Sequence, residues 1–218
     1  MVSDQISSTD LADLKMVVLP GERWLCMYAG APLDFQLLTH HMATRLTGVP
    51  AQHLADVIEA FQSGCEYLRE KIGREVETQL LIAGFDPDGT PHIFTSLTDG
   101  KVAMYDTTRF CTIGIGSELA DAALLLGPEN WRYQTDINTF AYRLLTAKFV
   151  SERTLGVGPE TTLRVLYSNG LTTGSILYTN KIRKAWEASL MKPIPKSAAN
   201  EIDFILTPKN PFQKRPWD

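Results

Sequence analysis

The sequence predicts an α+β protein in which two antiparallel sheets are each covered on one face by a pair of helices, forming a four-layer αββα sandwich. Segments typical of strands and of helices are grouped along the chain, which is the pattern of α+β proteins. The helical segments have one apolar face each, and short turn signals separate the strands as they do in antiparallel hairpins. The predicted order is a hairpin, two helices, a meander, two helices, a strand and a last helix.

The first hairpin is predicted from two apolar runs that are joined by a turn. Lys15 to Leu19 reads KMVVL, and Trp24 to Ala29 reads WLCMYA, a continuous apolar run of strand length. Pro20-Gly21-Glu22 between them is a turn signal. Gly30-Ala31-Pro32 then ends the second strand and begins a helix, because proline suits the first turn of a helix.

Two amphipathic helices are predicted next, as an antiparallel pair joined by Gly48-Val49-Pro50. The second helix is the clearest element of the sequence and is predicted from about Ala51 to Gly73. Its apolar residues recur at steps of three and four, which places them on one face. These residues are Leu54, Val57, Ile58, Phe61, Cys65, Leu68 and Ile72.

The second half of the chain is predicted as a meander followed by helices and one further strand. The predicted strands are Gln79 to Phe85, His92 to Leu97, Val102 to Tyr105, Phe110 to Ile113 and Thr162 to Tyr167. The predicted helices are Glu118 to Leu126, a helix from Thr135 or Asp136 to about Arg153, and Lys181 to Met191. Ser117 is expected to be the N-cap of the first of these helices. Residues 1–192 are expected to form one domain, followed by a proline-containing tail over residues 193–218.

The composition excludes several classes of protein. Apolar residues make up 44% of the 218 residues, charged residues make up 21%, and the net charge is −4. Without a basic excess we expect no nucleic-acid partner, and without an apolar run of about 18 residues we expect no membrane span. Cys26, Cys65 and Cys111 are far apart in apolar runs, which is typical of reduced core residues in a cytoplasmic protein. The four histidines lack metal-ligand spacing, so no metal ion and no cofactor is predicted.

Four short motifs occur in a fixed order along most of residues 1 to 165. They are Val2-Ser3-Asp4-Gln5, Lys15-Met16-Val17, Ala29-Gly30 before a helix that contains Asp34, and GFDPDG at residues 84–89 together with IGIGSELA at residues 113–120. In this order and spacing they resemble the proteasome β-subunit family of N-terminal-nucleophile hydrolases. Ser151-x-x-Thr154-x-Gly156-Val157-Gly158-Pro159, with Trp186 in a late helix, resembles the bacterial Anbu branch, the ancestral β subunit.

The resemblance implies a hydrolase that cleaves peptide bonds with an N-terminal threonine, whose free amine acts as the general base. In that site Lys15 would favour the neutral amine and stabilise the developing alkoxide, and Asp4 would orient Lys15. The Gly30 backbone N–H would donate to the oxyanion. Tyr28 and Leu33 would border the pocket for the substrate residue before the cut.

Three departures from the family pattern bear on this hypothesis. The family's catalytic threonine and first hairpin precede the segment that Val2-Ser3-Asp4 matches, so about a dozen residues are expected upstream of Met1, or the chain is a subunit without its nucleophile. Ile115 replaces a serine of the family motif, and Thr154 stands where classical members have a catalytic-site aspartate. With Ser151, these residues would form the supporting hydrogen-bond network.

Two functions therefore remain open. One is a threonine-type peptidase subunit that acts on peptides or unfolded proteins, and the other is a non-catalytic structural subunit of the same fold. Lys15 could also be an ordinary edge-strand lysine, Asp4 a solvated turn carboxylate and Gly30 a simple turn residue. The resemblance implies a homo-oligomer, as a ring or a helical stack, and leaves open whether an ATP-driven unfoldase docks on it.

Overall fold

The computed structural model describes residues 15–97, 100–126, 137–161, 163–167, 170–173 and 176–190. Within these residues the strands are β1 (Met16–Val18), β2 (Trp24–Ala29), β3 (Gln79–Phe85), β4 (Pro91–Ser96), β5 (Val102–Met104), β6 (Arg164–Tyr167) and β7 (Gly170–Thr173). The helices are α1 (Pro32–Leu46), α2 (Leu54–Tyr67), α3 (Ser117–Leu125), α4 (Ile137–Ser151) and α5 (Ile176–Leu190). No helix in this part of the chain has the length and apolar character that crossing a bilayer requires.

The first five strands form one antiparallel sheet in the order β1-β2-β3-β4-β5. The predicted first hairpin is confirmed, because Leu19 N–H donates to the Trp24 carbonyl at 2.9 Å across the turn. Trp24 lies directly opposite Gly84 on β3, which fixes the register of the central strands. Strands β6 and β7 form a separate antiparallel pair, and β7 is an element that the sequence did not predict.

Helices α1 and α2 pack their apolar faces on one face of the five-stranded sheet. The fully buried residues at this interface include Trp24, Phe35, Leu38, Met42, Leu46, Val57, Phe61, Leu80, Ile82 and Phe94. The predicted stripe of the second helix is confirmed except at its end, where Ile72 is 40% exposed. The reason is that α2 continues into a π-helical turn, Leu68–Ile72, whose wider bonding rotates later side chains away from the 3.6-residue period.

A second apolar cluster holds α3 against α4. Its buried residues are Phe110, Ala120, Leu124 and Ala147, with Phe140 and Leu144 partly buried beside them. The structure therefore confirms a mixed architecture with an antiparallel sheet and two helix pairs. The complete four-layer stacking remains a prediction.

Two local predictions around α3 were wrong. Phe110 to Ile113 is not a strand, because the segment is tied to the start of α3: Thr112 Oγ1 donates to the Ser117 carbonyl at 3.1 Å and to Asp121 Oδ1 at 2.8 Å. Ser117 is the first residue of the helix, and Gly116 occupies the N-cap position. Thr135 and Asp136, the predicted start of α4, lie outside the described residues.

Helix α5 begins at Ile176, five residues before the predicted start at Lys181. The described chain divides into two compact units after Arg183, within this helix. Trp186, in the second unit, is 9% exposed. The predicted tail over residues 193–218 lies outside the described residues.

Candidate functional site

The turn between β2 and α1 is built around Gly30. Its φ angle is +124°, a conformation that side chains rarely adopt. A Cβ atom at this position would lie 3.2 Å from both the Glu77 carbonyl oxygen and the Thr78 Cα, so a side chain has no room. Thr78 Oγ1 also donates to the Ala31 carbonyl at 2.8 Å. The turn is thus held against the segment that leads into β3.

A buried carboxylate lies one helical turn beyond Gly30. The side chain of Asp34, in the first turn of α1, is 0% exposed. Its Oδ2 accepts a hydrogen bond from the Glu77 N–H at 3.2 Å, and its Oδ1 lies 2.9 Å from Arg74 Nη2 in an ion pair without hydrogen-bond alignment. A carboxylate is favourable at a helix N-terminus, but burial requires such partners. Asp34 therefore joins the start of α1 to residues 74–77.

The turn of Gly114 and Gly116 completes this end of the sheet. Gly114 N–H donates to Gln79 Oε1 at 3.0 Å, and a Cβ atom on Gly114 would lie 3.0 Å from the Ala29 Cβ. A Cβ atom on Gly116 would lie 2.9 Å from the Ser151 Cβ. Two close backbone approaches thus bring the end of β2, the start of β3 and the end of α4 together.

The structure places Lys15 at the same end of the sheet. Lys15 directly precedes β1, whose first residue, Met16, pairs with Met27, three residues before Gly30. The Lys15 side chain is exposed. Asp4 lies outside the described residues, so the predicted pairing of Asp4 with Lys15 remains a prediction.

The two predicted pocket residues have different surroundings. Tyr28 is buried, and its ring stacks on Phe35 with 4.3 Å between the ring centroids. Leu33, in the first turn of α1, is 50% exposed. Of the two, Leu33 has the side chain that is open to a ligand.

Of the predicted supporting residues, Ile115 lies within the turn of Gly114 and Gly116, and Ser151 lies beside Gly116. Ile115 is 70% exposed at the tip of the turn, whereas Ser151 is buried at the end of α4. Ser151 Oγ donates to the Lys148 carbonyl at 2.7 Å, and the Ser151 carbonyl accepts the Thr154 N–H at 2.9 Å. The hydrogen bonds of Ser151 and the Thr154 amide therefore shape the chain after α4.

Lys148, Glu152 and Arg183 form a charged network near Ser151 that the sequence analysis did not predict. Lys148 Nζ donates to Glu152 Oε1 at 2.7 Å and to the Gly158 carbonyl at 2.8 Å. The Arg183 guanidinium donates to both Glu152 carboxylate oxygens and, at 2.6 Å, to the Pro159 carbonyl. The four-residue spacing of Lys148, on α4, and Glu152, directly after it, is visible in the sequence, but nothing local indicates Arg183, which lies 31 residues after Glu152.

The electrostatics of the network connect it with Lys15. Burial is the largest effect that lowers the pKa of Lys148; Glu152 opposes it, and the positive charges of Arg183 and Lys15 lower the pKa further. For Glu152, burial acts to raise the pKa, but the hydrogen bonds from Arg183 and Lys148 hold it below its ordinary value. Lys15 thus adds to the positive charge that lowers the pKa of Lys148.

The three cysteine thiols are not activated for reaction at neutral pH. Burial raises the pKa of the Cys65 thiol to about 11 and that of Cys111 to about 12, and it raises the pKa of Cys26 as well. These thiols are therefore protonated, and a thiolate is the reactive form of cysteine. In the part of the chain that the structure describes, no three His, Cys, Asp or Glu side chains are arranged to hold a metal ion.

The antiparallel sheet and its covering helix pair belong to a fold that is similar to that of a solved Anbu structure. Among the matching solved structures is the Anbu (Gly-1) mutant from Hyphomicrobium sp. strain MC1, with a TM-score of 0.64 and 17% sequence identity over 83% of this chain and 85% of that chain. The predicted resemblance in fold is confirmed. No protein-family model and no curated protein matches the sequence.

Proposed function

We propose that this chain is a subunit of a proteasome-like threonine peptidase, which hydrolyses peptide bonds of peptides or unfolded proteins. The observation that supports this best is the arrangement at one end of the sheet. Gly30, at φ +124°, lies in a turn packed against residues 77–78, and Lys15 and the Gly114 turn lie at the same end. The proposal includes the complete αββα stacking and a nucleophile upstream of Met1.

The chemistry follows from what each group can do. A threonine hydroxyl beside its own free amine is activated when the amine takes the proton. A lysine ammonium close to the amine disfavours the protonated amine and stabilises the alkoxide as it develops. In this proposal Lys15 supplies that charge and Asp4 orients it. The Gly30 N–H donates to the oxyanion of the tetrahedral intermediate.

The substrate would lie along the exposed surface between the two turns. Leu33 is 50% exposed on one turn, and Ile115 is 70% exposed on the other. Both side chains are apolar, and covering an exposed apolar side chain with an apolar ligand group is favourable. This arrangement favours apolar substrate side chains beside the cut.

The alternative is a non-catalytic structural subunit, and two observations favour it. The Lys15 side chain is exposed in the described residues, whereas a catalytic lysine gains most from an enclosed site. An exposed isoleucine at position 115 also supplies no hydrogen bond to a supporting network.

The two functions are distinguished by comparing the 218-residue chain with a form extended upstream to an N-terminal threonine. We expect cleavage of fluorogenic short peptides by the extended form only, because the nucleophile and its amine act as a unit whose loss costs several orders of magnitude. Lys15→Met in the extended form should lower kcat. Equal activity in both forms would place the nucleophile elsewhere, and no activity in either would support the structural subunit.

The proposal includes a homo-oligomer that associates through helical faces. Large apolar side chains of α3, of the residue that follows it and of α4 are exposed, and covering them on association would be favourable. These residues are Leu119, Leu125, Leu126 and Tyr142, with exposed fractions of 39%, 58%, 86% and 39%.

We expect the double variant Leu125→Glu, Leu126→Glu to form a smaller species than the wild type, because charges at these positions would be buried on association. Size-exclusion chromatography with light scattering at micromolar concentration measures the change. Leu155→Glu is the matched control, since Leu155 is 96% exposed in the segment after α4. A wild-type monomer would contradict the prediction.

A further inference from the structure

The end of α2 has an unusual shape that determines where Arg74 lies. After the π-helical turn, Gly73 adopts a left-handed conformation with a φ of 71° and a ψ of 27°. Its N–H donates to the Leu68 carbonyl, and the Arg74 N–H donates to the same oxygen at 3.0 Å. The backbone of Arg74 is therefore fixed directly after the helix, and not left as part of a free loop.

From this position the Arg74 side chain reaches Asp34. Arg74 Nη2 lies 2.9 Å from Asp34 Oδ1, and the Arg74 side chain is 42% exposed while that of Asp34 is fully buried. A buried carboxylate without a cation is strongly unfavourable. Arg74 thus brings the balancing charge from the surface, and the carboxylate in turn holds the Glu77 N–H at 3.2 Å.

The segment that Asp34 holds forms one wall of the Gly30 turn. The Glu77 carbonyl and the Thr78 Cα both lie 3.2 Å from the position of a Cβ atom on Gly30, and Thr78 also bonds to Ala31. If residues 77–78 moved away, the Gly30 peptide would be free to rotate. The direction of the Gly30 N–H is the property that an oxyanion donor needs.

We infer that Arg74 is a positioning residue, which acts through Asp34 and Glu77 to fix the orientation of the Gly30 peptide. The catalytic use of the Gly30 N–H rests on the proposed function. The structural coupling of Arg74 to the Gly30 turn does not, because it depends on contacts that can be tested without activity. The link joins the π-helical turn of α2 to the turn that begins α1.

The test replaces Arg74 by glutamine and follows amide hydrogen exchange by mass spectrometry in the 218-residue chain. We expect peptides over residues 28–34 and 74–80 to exchange about tenfold faster, because the Asp34–Glu77 bond opens locally. Peptides in the core of β3 and β4 should keep their protection. Arg45→Gln is the matched control, since Arg45 forms a 3.4 Å surface pair with Glu59 in which both side chains are more than half exposed, at 52% and 73%.

Two results would overturn the inference. One is an unchanged rate of amide exchange at residues 28–34. The other is an equal rise in the exchange rate in all core peptides, which is the result expected if Arg74 only stabilises the fold. If Arg74→Gln does not fold, Arg74→Lys gives the same readout, and we expect an intermediate increase because lysine keeps the charge but loses the planar guanidinium geometry.

An activity measurement separates this inference from the proposed function. In an active, upstream-extended form, Arg74→Gln should lower kcat with little change in KM, because the oxyanion contact is made in the transition state. A local exchange effect without peptidase activity in any form would support the mechanical link and contradict the proposed function. If Arg74→Gln in the active form has the same kcat as the wild type, Arg74 is not a positioning residue.

Discussion

Replacing Gly84 with alanine is expected to cost about 3 kcal/mol of stability, near the upper end of what overpacking a core costs. Gly84 lies on β3 directly opposite Trp24. A Cβ atom at this position would lie 2.3 Å from Trp24 Cδ2 and 2.5 Å from the Arg23 carbonyl oxygen. Both distances are far below van der Waals contact, so the indole ring and the backbone must both move.

The Trp24 ring has little freedom to move aside. It is 0% exposed, its plane is within 5° of that of the His92 ring, and its Nε1 lies 3.4 Å from the Gln52 carbonyl that it donates to. Interiors are close-packed, so a shift of this ring is transmitted to its neighbours. A loss of this size is a large part of the roughly 5–15 kcal/mol by which domains are stable.

Urea unfolding followed by circular dichroism measures this effect. Gly158→Ala is the matched control, because a Cβ atom there would meet nothing within 4 Å and we expect almost no change. Trp24→Leu in the Gly84→Ala background should recover only part of the loss, since the contact with the Arg23 carbonyl remains. If Gly84→Ala unfolds with the same urea midpoint as the wild type, the Trp24 ring moves aside at little cost and the prediction is wrong.

Replacing Glu152 with glutamine is expected to cost about 2 kcal/mol at neutral pH. The substitution removes the negative charge that holds the Lys148 and Arg183 cations at this site. The side chains of these two residues are 30% and 17% exposed. Removing one partner of a fully buried pair costs about 3–5 kcal/mol, and partial exposure of these cations reduces the effect. The Gly158 and Pro159 carbonyls would also lose donors that Glu152 holds in place.

The loss should depend on pH in a defined direction. The folded pKa of Glu152 is held below its ordinary value, so the folded state binds fewer protons than the unfolded state in that range. The stabilisation by Glu152 is thus complete above the ordinary pKa and disappears as the pH falls through the folded pKa. The difference between wild type and Glu152→Gln should therefore be largest near pH 7 and shrink in acid.

Stability curves at several pH values measure this difference. Glu160→Gln is the matched control, because Glu160 is exposed and close to the same segment. A wild-type advantage over Glu152→Gln that stayed constant from pH 7 into acid would contradict the assignment of the effect to the ionised carboxylate.

The fold was predicted well where a local pattern carries the information. Strands Trp24–Ala29 and Gln79–Phe85 were predicted at their observed bounds, because each is a short apolar run between turn signals. Phe110 to Ile113 has a similar composition, but the hydroxyl of Thr112 bonds to the start of α3 and keeps the segment irregular. A side chain that bonds to backbone groups can thus override strand propensity.

The candidate site was predicted only in part for a related reason. The Gly30 turn leaves a local signal, since glycine and proline follow a buried strand. The pairs of Asp34 with Arg74 and of Glu152 with Arg183 leave none, because long-range partners of a charge have no fixed spacing. Charged residues are abundant on any surface, so the pairing becomes visible only when the fold brings the two segments together.

The glycine turns at the end of the sheet also affect the order in which the chain acquires structure during synthesis. Asp34 bonds to Glu77 across 43 residues, Ala31 bonds to Thr78 across 47, and Gln79 bonds to Gly114 across 35. Contacts of such separation form slowly, because the intervening chain must be ordered first. A ribosome adds about 5–20 residues per second, so roughly two seconds or more pass between the emergence of α1 and that of Glu77. During most of that time Arg74, the partner of Asp34, has not been synthesised, and a chaperone that shields the first helix would act before the glycine turn can close.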